Sequence, residues 1–316
     1  RLGSKEWRLS HFYKIRSKEK QLITFKPNRM QQHFIQNAWS RNLELKSRQL
    51  GATTYETIDM LDDVLFTRNF EGLLIAQDLD VAKDIFDNKV KLAWDNFKLQ
   101  SLYSADLNSA RKIKVGFGDG SYSAITVDNS GRAGTFNRLH ITEFAKLCKT
   151  FPDKAKEVLE GSIPAVPTSG RVDIESTADG SDGLFYEMFW EAWDRGDPKF
   201  PNQFKANFYN WQWDEEIERT EAIQDLPREF REYQEKYKLT DKEISYYYLK
   251  FVSLGEHDRN WATMKKEYPT IPEEAFESSG AKLFDVEKLS LYNPIEPIKV
   301  EGNLRIYKTY KFAHFY

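Results

Sequence analysis

Residues 46–54 read Lys46-Ser47-Arg48-Gln49-Leu50-Gly51-Ala52-Thr53-Thr54. They follow a short apolar run at Leu43–Leu45, and they precede apolar residues at helical spacing over Tyr55–Leu65. A strand, a glycine-containing turn and a helix form a phosphate loop when the turn reads G-x-x-x-x-G-K-[ST]. In that motif, backbone N–H groups hold the phosphates, the lysine supplies positive charge and the hydroxyl binds Mg²⁺.

The segment departs from this pattern at two positions. Gly51 and Thr53 fit, whereas Lys46 replaces the first glycine and Ala52 replaces the lysine. Because a phosphate loop wraps around its ligand, its first and last residues end near each other, so Lys46 could reach the place vacated at position 52. Arg48 would add a second cation. An ordinary basic turn between a strand and a helix explains the segment equally well when it is considered alone.

The surrounding pattern predicts an α/β fold with a mainly parallel central sheet, because short apolar runs alternate with amphipathic stretches from residue 28 to about residue 211. The predicted strands are Leu43–Lys46, Gly72–Gln77, Leu139–Glu143, Val172–Ser176 and Phe204–Tyr209. The predicted helices cover about 28–41, 53–66, 79–97, 142–160 and 182–195. Lys112–Phe117 and Ser123–Val127 should form an antiparallel hairpin around the turn Gly118–Gly120.

The pattern becomes helical from about residue 214, which predicts a core over 1–213 and a small helical lid over 214–284. Capping-box spacing at Thr240 with Glu243, and at Thr270 with Glu273, predicts two helix starts in the lid. The first 25 or so residues show no clear period, and we allow them to pack with the lid. Residues 285–316 are expected to be a linker and the start of a further domain, with strands at 304–307 and 312–316.

Composition excludes several classes of protein. The 316 residues include 46 Lys and Arg, 49 Asp and Glu, and one cysteine, for a net charge of −3. Bulk positive charge therefore cannot hold nucleic acid, and any such contact must be local or shared among subunits. One cysteine excludes an internal disulfide and a cysteine-based metal cluster. No run approaches the ~18 apolar residues of a membrane helix. No apolar signal segment follows Arg1, so we expect a cytosolic protein or part of one.

Other signals have simpler explanations. Gly116–Ser121 imitates a dinucleotide loop but is followed by a strand, so a hairpin turn fits it better. The five histidines lack metal-ligand spacing and are expected to be structural. The aromatic residues between Tyr186 and Trp193 have helical spacing and should belong to the core, and Tyr246–Tyr248 should pack within the lid.

The segment K-x-R-Q-x-G-x-[ST] at 46–53 is similar to the phosphate loop of phage large terminases, in which the lysine is displaced to the start of the loop. Further segments resemble that family in the same order along the chain. They are Phe25–Gln31, which resembles the adenine-reading segment; Leu139–Ala145, the Walker B strand; Glu175–Gly180, the coupling motif; and Glu267–Phe276, the EYP…EEAF segment of the lid.

The resemblance implies a role for each matching residue. Nucleotide binding falls to Gln31 (or Gln32), Lys46, Ser47, Arg48, Gln49, Gly51, Ala52, Thr53 and Thr54. Catalysis falls to Glu143, Thr177, Arg48 and Arg132, and Mg²⁺ binding to Thr53, Thr142 and Glu143. Glu143 would orient and deprotonate the attacking water. Arg132 would act on the ATP of a neighbouring subunit, with Arg48 as the competing arginine finger within the same subunit.

The resemblance also implies a function: Mg²⁺-dependent hydrolysis of ATP that drives double-stranded DNA through the portal protein into a procapsid. It implies a homo-oligomeric ring on the portal, a small terminase subunit as partner, and a location in the host cytoplasm at the portal vertex, outside the mature virion. The family's nuclease residues would lie beyond Tyr316, so this chain should not cut DNA, and no membrane partner is expected.

Two alternatives remain open. A helicase-like translocase would need a second motor domain, for which the lid is too small. A structural packaging protein with a degenerate pocket that binds nucleotide or DNA without turnover is compatible with Ala52 and Thr142.

Overall fold

The computed structural model describes residues 2–109, 111–128, 134–277, 299–301 and 304–306, with side chains for all of these except 106–109 and the last two segments. The chain divides into two compact units, residues 1–278 and 279–316. The predicted core and most of the predicted lid lie within the first unit, and the boundary at residue 213 stays a prediction.

The described residues form twelve strands and twelve α-helices. The strands are β1 Lys14–Arg16, β2 Leu22–Thr24, β3 Arg41–Lys46, β4 Glu71–Ile75, β5 Ser104–Ser109, β6 Lys112–Gly116, β7 Tyr122–Asp128, β8 Arg138–Thr142, β9 Arg171–Ser176, β10 Lys205–Tyr209, β11 Lys299–Glu301 and β12 Leu304–Ile306. The helices are α1 Lys5–Phe12, α2 Arg29–Asn37, α3 Ala52–Phe66, α4 Leu79–Ile85, α5 Leu92–Asp95, α6 Phe144–Thr150, α7 Pro152–Glu157, α8 Leu184–Arg195, α9 Arg228–Tyr237, α10 Asp241–Ser253, α11 Trp261–Glu267 and α12 Pro272–Phe276.

The central sheet has eight strands in the order β10-β3-β9-β8-β4-β7-β6-β5. The first six are parallel to one another, and β6 and β5 complete the sheet in antiparallel pairing. The predicted α/β class and all five predicted parallel strands are confirmed. The carboxyl ends of β3, β9 and β8 therefore share one edge, where open α/β sheets bind ligands.

Two apolar layers cover the sheet. Helices α3 and α4 and the π-helical stretch Phe86–Lys91 between α4 and α5 pack on one face, and α6, α7 and α8 pack on the other. On β3, Leu43 and Leu45 enter the second layer, whereas Glu44 and Lys46 point the opposite way, because successive side chains in a strand alternate between faces.

The three central strands carry polar residues beneath α3, and we call this set the polar face. It consists of Asn42, Glu44 and Lys46 on β3; Arg138, His140 and Thr142 on β8; and Arg171, Asp173 and Glu175 on β9. All are buried except Arg171, which is half-buried. The strand register places Asp173 beside both Asn42 and His140, and Glu175 beside both Glu44 and Thr142.

The predicted single helix over 142–160 is wrong. Thr142 belongs to β8, and the helix starts only at Phe144, because Glu143 takes a left-handed backbone conformation with φ of 52°. The helix then breaks at Phe151, where Pro152 begins α7. A proline cannot donate the backbone hydrogen bond of a helix interior, so the break follows from the sequence.

The N-terminal segment is ordered against the core. Helix α1 packs on α3, where the Arg8 guanidinium lies 2.6 Å from the Asp62 carboxylate and the Tyr13 hydroxyl donates to Asp62 at 2.7 Å. Strands β1 and β2 form a hairpin, and Lys18 between them pairs with Asp214 at 3.5 Å and with Glu216. The sequence pattern predicted none of these elements, because the segment is too short for a period to show.

The helical region after residue 210 packs around its own aromatic core, which includes Trp211, Tyr246 and Tyr247, as predicted for the tyrosine run. The capping box at Thr240 and Glu243 is confirmed, with both of its hydrogen bonds present. The capping box predicted at Thr270 is wrong. Helix α12 starts at Pro272 after Ile271, and the Thr270 N–H donates to Glu274 instead.

The remaining predictions fall in two places. The hairpin of β6 and β7 around residues 117–121 is confirmed, and β5 adds an edge strand that was not predicted. In the second unit, β11 and β12 form an antiparallel pair that includes the predicted strand at 304, while the strand predicted at 312–316 lies outside the described residues.

Within the described ranges, no helix combines the length and apolar character needed to cross a membrane.

Candidate nucleotide-binding site

The loop between β3 and α3 has the backbone of a glycine-dependent turn. Gly51 is the N-cap residue of α3 with φ of 83°, a left-handed conformation that side chains disfavour. The Gln31 side-chain N–H donates to the Gly51 carbonyl at 2.9 Å, and a Cβ at position 51 would lie 2.9 Å from the same nitrogen. The backbone angle therefore favours glycine at position 51, and a larger residue there would displace the Gln31 amide.

Helix α3 presents its N-terminus toward this loop. Its cap residue is a glycine, which has no side chain to bond the first amide groups, and its first turn contains no acidic residue. Uncapped N–H groups and the positive end of the helix dipole favour an anion. Ala52, Thr53 and Thr54 form this first turn, so the residues predicted to bind phosphate occupy a position suited to it.

Lys46 reaches the end of the neighbouring strands, as the displaced-lysine argument requires. Its buried ammonium lies 3.0 Å from Glu143 Oε1 and 3.1 Å from Glu175 Oε2. Burial lowers the pKa of Lys46, but the carboxylates of Glu175 and Glu143 outweigh burial and raise it above its ordinary value. Lys46 is therefore positively charged, and it lines the same pocket as Ala52.

Three oxygen-bearing side chains converge next to this lysine. The hydroxyls of Thr53 and Thr142 each donate to Glu175 Oε1 at 2.5 Å, and the two hydroxyl oxygens are 3.4 Å apart. Burial raises the pKa of Glu175, but Lys46 and the hydrogen bonds to the carboxylate outweigh burial and bring it below its ordinary range. Glu175 is therefore a buried anion at the centre of the site, a role the sequence reasoning missed.

Glu143 lies at the edge of the same cluster. Its left-handed backbone turns its side chain back toward the loop, and the side chain keeps 26% exposure. The Thr177 hydroxyl donates to Glu143 Oε2 at 3.3 Å. A strained backbone at a polar, partly open position is typical of functional residues. The structure therefore brings together Glu143 and Thr177, which were predicted to be catalytic, and Lys46, which was predicted to bind the nucleotide.

Gln31, the predicted adenine-reading residue, makes its hydrogen bonds within the protein. The Gln31 side chain accepts from the Asn28 N–H at 2.9 Å, which completes a capping box at the start of α2, and its N–H binds Gly51. Gln31 is buried, whereas the alternative Gln32 is exposed and donates to the Pro27 carbonyl at 2.8 Å. Gln31 thus braces the phosphate loop against α2, and its contact with adenine stays a prediction.

The start of the loop is tied to the helical region through one residue. The Glu267 carbonyl accepts hydrogen bonds from the Ser47 hydroxyl at 3.1 Å and from the Arg48 N–H at 2.9 Å. The Arg48 side chain is mostly exposed and lies 3.5 Å from the Glu267 carboxylate. Ser47 therefore anchors the loop, while the guanidinium of Arg48 lies on the open side.

A pocket of about 760 Å³ opens on this cluster. Its walls are formed by residues of the β1–β2 hairpin, by residues in the segment 213–219, and by Gln31, Lys46, Arg48, Gln49, Gly51, Ala52, Thr53, Thr54 and Glu143. Lys89 also lines it and donates to the Thr54 hydroxyl at 2.7 Å. Burial lowers the pKa of Lys89. Lys89 was missed because it belongs to the π-helical stretch, which no motif marks.

The remaining predicted finger, Arg132, lies outside the described residues. Within the described part of the chain, no group of three or more His, Cys, Asp or Glu side chains could hold a metal. The hydroxyls of Thr53 and Thr142 and the carboxylates of Glu175 and Glu143 are nevertheless hard oxygen donors. Proteins usually bind Mg²⁺ through one or two carboxylates together with phosphate oxygens and water. These four side chains therefore suit Mg²⁺.

No protein-family profile matches the sequence, and no curated protein matches it. Among solved structures, the bacteriophage HK97 large terminase matches with a TM-score of 0.52 at 15% identity, covering 80% of this chain and 52% of that protein. The large terminase ATPase domain of Thermus phage P74-26 matches with a TM-score of 0.48 at 15% identity, covering 77% of this chain and 93% of that one. The large terminase of the thermophilic bacteriophage D6E, solved with ATP-γ-S, matches with a TM-score of 0.41 at 11% identity, covering 65% and 46%.

The HK97 match compares this chain with about half of a longer protein, and at 15% identity it establishes a shared fold. The resemblance seen in the sequence motifs is thus confirmed at the level of architecture. The chain has the P-loop NTPase fold, and it shares that fold with the large terminase of bacteriophage HK97.

Proposed function

We propose that this chain is the ATP-hydrolysing part of a viral DNA-packaging motor. The observation that carries the proposal is the contact between Lys46 and Glu143 at 3.0 Å beside the N-terminus of α3. Lys46, proposed to bind phosphate, and Glu143, proposed as the general base, both line the same pocket. The shared fold with the HK97 large terminase supports the packaging role.

In this proposal the phosphates of ATP lie against the first turn of α3, where the amide groups of Ala52, Thr53 and Thr54 meet them. Lys46 exchanges a carboxylate contact for phosphate oxygens, and Lys89 and Arg48, which also line the pocket, add charge. The charge on the transferring phosphoryl group is then balanced by side chains that the fold already holds in place.

Glu143 acts on the attacking water. Its carboxylate is partly exposed to the pocket and is oriented by the Thr177 hydroxyl at 3.3 Å. A carboxylate freed from Lys46 can accept the proton of the water as the bond to phosphorus forms. Thr177 directly follows β9. Its contacts would change with the state of the phosphate, and the change would pass to the residues that follow it in the chain.

Mg²⁺ would be held by Thr53 and by the acidic group around Thr142, Glu175 and Glu143. When bound, it would neutralise charge on the phosphate oxygens. The hard oxygen donors described above fit this ion.

Two contacts support a coupling of hydrolysis to movement. Glu267, at the end of α11, holds the phosphate loop, and its neighbour Lys266 donates to Asp179 at 2.6 Å in the predicted coupling motif. The helical region therefore contacts both the phosphate loop and the predicted coupling motif. We propose double-stranded DNA, the portal protein and the small terminase subunit as partners, in a ring of copies at the procapsid portal in the host cytoplasm.

A steady-state ATPase assay with and without Mg²⁺, paired with a nucleotide-binding titration, tests the proposal. We expect Mg²⁺-dependent turnover that the Glu143→Gln variant loses. Tight nucleotide binding by the wild type without turnover, alone and with added DNA, would instead assign the chain as a structural packaging protein.

A further inference from the structure

In most Walker B strands an acidic residue directly precedes the catalytic glutamate. In this chain Thr142 occupies that position. A hydroxyl holds a metal-bound water more weakly than a carboxylate does. The strand register pairs Thr142 with Glu175 on β9. The carboxylate missing from one strand is therefore present on the next strand, at the same level of the sheet.

Glu175 is placed to take over that role. One of its oxygens accepts 2.5 Å hydrogen bonds from Thr142 and from Thr53, the loop hydroxyl that the motif assigns to Mg²⁺. Its other oxygen lies 3.1 Å from Lys46, the cation assigned to phosphate. Glu175 is fully buried, and its two carboxylate oxygens contact Thr53 and Lys46 at the two ends of the loop.

The neighbouring acid on the polar face lacks these contacts. Glu44 is buried beside Glu175 in the register, but the hydroxyls of Thr53 and Thr142 donate to Glu175 and not to Glu44. Position on the polar face alone therefore does not create the cluster. The cluster arises where β9, β8 and the start of α3 meet.

We propose that Glu175, supplied from the strand beside the Walker B strand, is the carboxylate that holds the metal ion of the bound nucleotide in place of the acid absent at position 142. The inference rests on the proposed nucleotide site and adds to it the residue that replaces a missing ligand. Thr142 then orients Glu175 through its hydroxyl and is a positioning residue.

The test uses the full chain with ADP and Mn²⁺, which replaces Mg²⁺ and is detected by electron paramagnetic resonance, so that no turnover is needed. In Glu175→Gln we expect Mn²⁺ affinity of the ADP complex to fall about 10–100-fold, the usual effect of losing a metal-site partner. ADP affinity in EDTA should be unchanged or higher, because Lys46 loses a competing carboxylate. Glu44→Gln is the matched control and should retain wild-type Mn²⁺ affinity.

A second variant keeps the test informative if Glu175→Gln folds poorly. The double variant Thr142→Asp with Glu175→Ser moves the carboxylate to the Walker B strand. If one carboxylate at this level of the sheet binds the ion, Mn²⁺ affinity should return to within about 3-fold of wild type. Unchanged Mn²⁺ affinity in Glu175→Gln, an equal loss in Glu44→Gln, or no recovery in the double variant would each overturn the inference.

The outcomes separate this inference from the proposed function. If the wild type binds ADP and Mn²⁺ through Glu175 but does not hydrolyse ATP, the motor proposal fails and the assignment of Glu175 stands. If the wild type hydrolyses ATP and Glu175→Gln retains its metal affinity, only the assignment fails. If the wild type binds no nucleotide at all, both fail.

Discussion

Lys46 and Glu143 form a 3.0 Å hydrogen bond although 97 positions separate them in the chain. The cation assigned to phosphate and the carboxylate assigned to water are thus held together at one edge of the sheet. In Glu143→Gln, the amide keeps the shape but cannot take a proton. We expect turnover to fall about 10²–10⁴-fold, with ATP affinity retained, in steady-state assays paired with a binding titration. Turnover equal to wild type would remove Glu143 from the mechanism.

Lys46 should supply the phosphate charge that the standard motif places at position 52. Lys46→Ala is expected to weaken nucleotide binding and hydrolysis together, by roughly 10-fold or more in affinity, in line with the loss of a charged hydrogen bond. Ala52 is buried, so Ala52→Lys should be neutral or harmful. Calorimetric titration with ATP checks both variants, and a strong gain of activity in Ala52→Lys would contradict the displaced-lysine interpretation.

Lys266 should couple the helical region to the site. It donates to Asp179 at 2.6 Å, and Lys149 lies 3.0 Å from the same oxygen but is largely exposed. We expect Lys266→Ala to lower turnover about 2–30-fold, the range of coupling effects, with little change in KM for ATP. Lys149→Ala is the matched control, because it removes a pair with the same acid from outside the helical region. Equal effects of the two variants would argue against coupling through α11.

The parallel strands and the loop could be predicted because they depend on local pattern. Leu43–Lys46, the turn at Gly51 and the helix after it are contiguous, so one short segment carries their signal. Glu175 could not be assigned in the same way. Its role depends on the register of β9 against β8, which places it beside Thr142, 33 positions away, and no pattern within either strand encodes that pairing.

The two wrong helix predictions have different physical causes. Pro152 carried the signal for the helix break, but the apolar pattern on both sides suggested continuity. Thr270 has the spacing of a capping box, yet its hydroxyl accepts from Trp211 at 2.9 Å and bonds with Tyr233 at 2.6 Å. The Thr270 hydroxyl is therefore engaged in tertiary hydrogen bonds and does not cap the helix.

Arg138 should be essential to stability. Its buried guanidinium lies 2.6 Å from Asp59 and 3.2 Å from Asp173, and it also pairs with Glu56. Removing one member of a buried ionic cluster typically costs about 3–5 kcal/mol. We expect Arg138→Met to lower the free energy of unfolding by that amount in a denaturant titration. Arg228→Met, which removes an exposed pair, should change it by less than about 1 kcal/mol.

Glu44 should make stability depend on pH. Burial, followed by the carboxylates of Glu56, Asp173 and Glu175, raises the pKa of Glu44 well above its ordinary value of 4.5, and Arg171 offsets only part of this. The folded state therefore keeps a proton that the unfolded chain releases above that value, so folding loses free energy as pH rises. Glu44→Gln removes this loss.

The measurement for Glu44 compares free energies of unfolding of the variant and the wild type from about pH 5 to about pH 8. The variant should gain stability relative to wild type as pH rises across this window. A difference that stays constant with pH would show that Glu44 does not retain a proton on folding.

The pairing of Thr142 with Glu175 also limits how this chain can evolve. An acid gained at position 142 while Glu175 remains would bring two carboxylates together. An acid lost at position 175 first would leave Lys46 with one anion fewer and remove the carboxylate that accepts from Thr53 and Thr142. We expect either single substitution to weaken the site. Relatives should therefore inherit the two positions as a linked set, with a carboxylate at one or the other, and substitutions at 142 and 175 should covary.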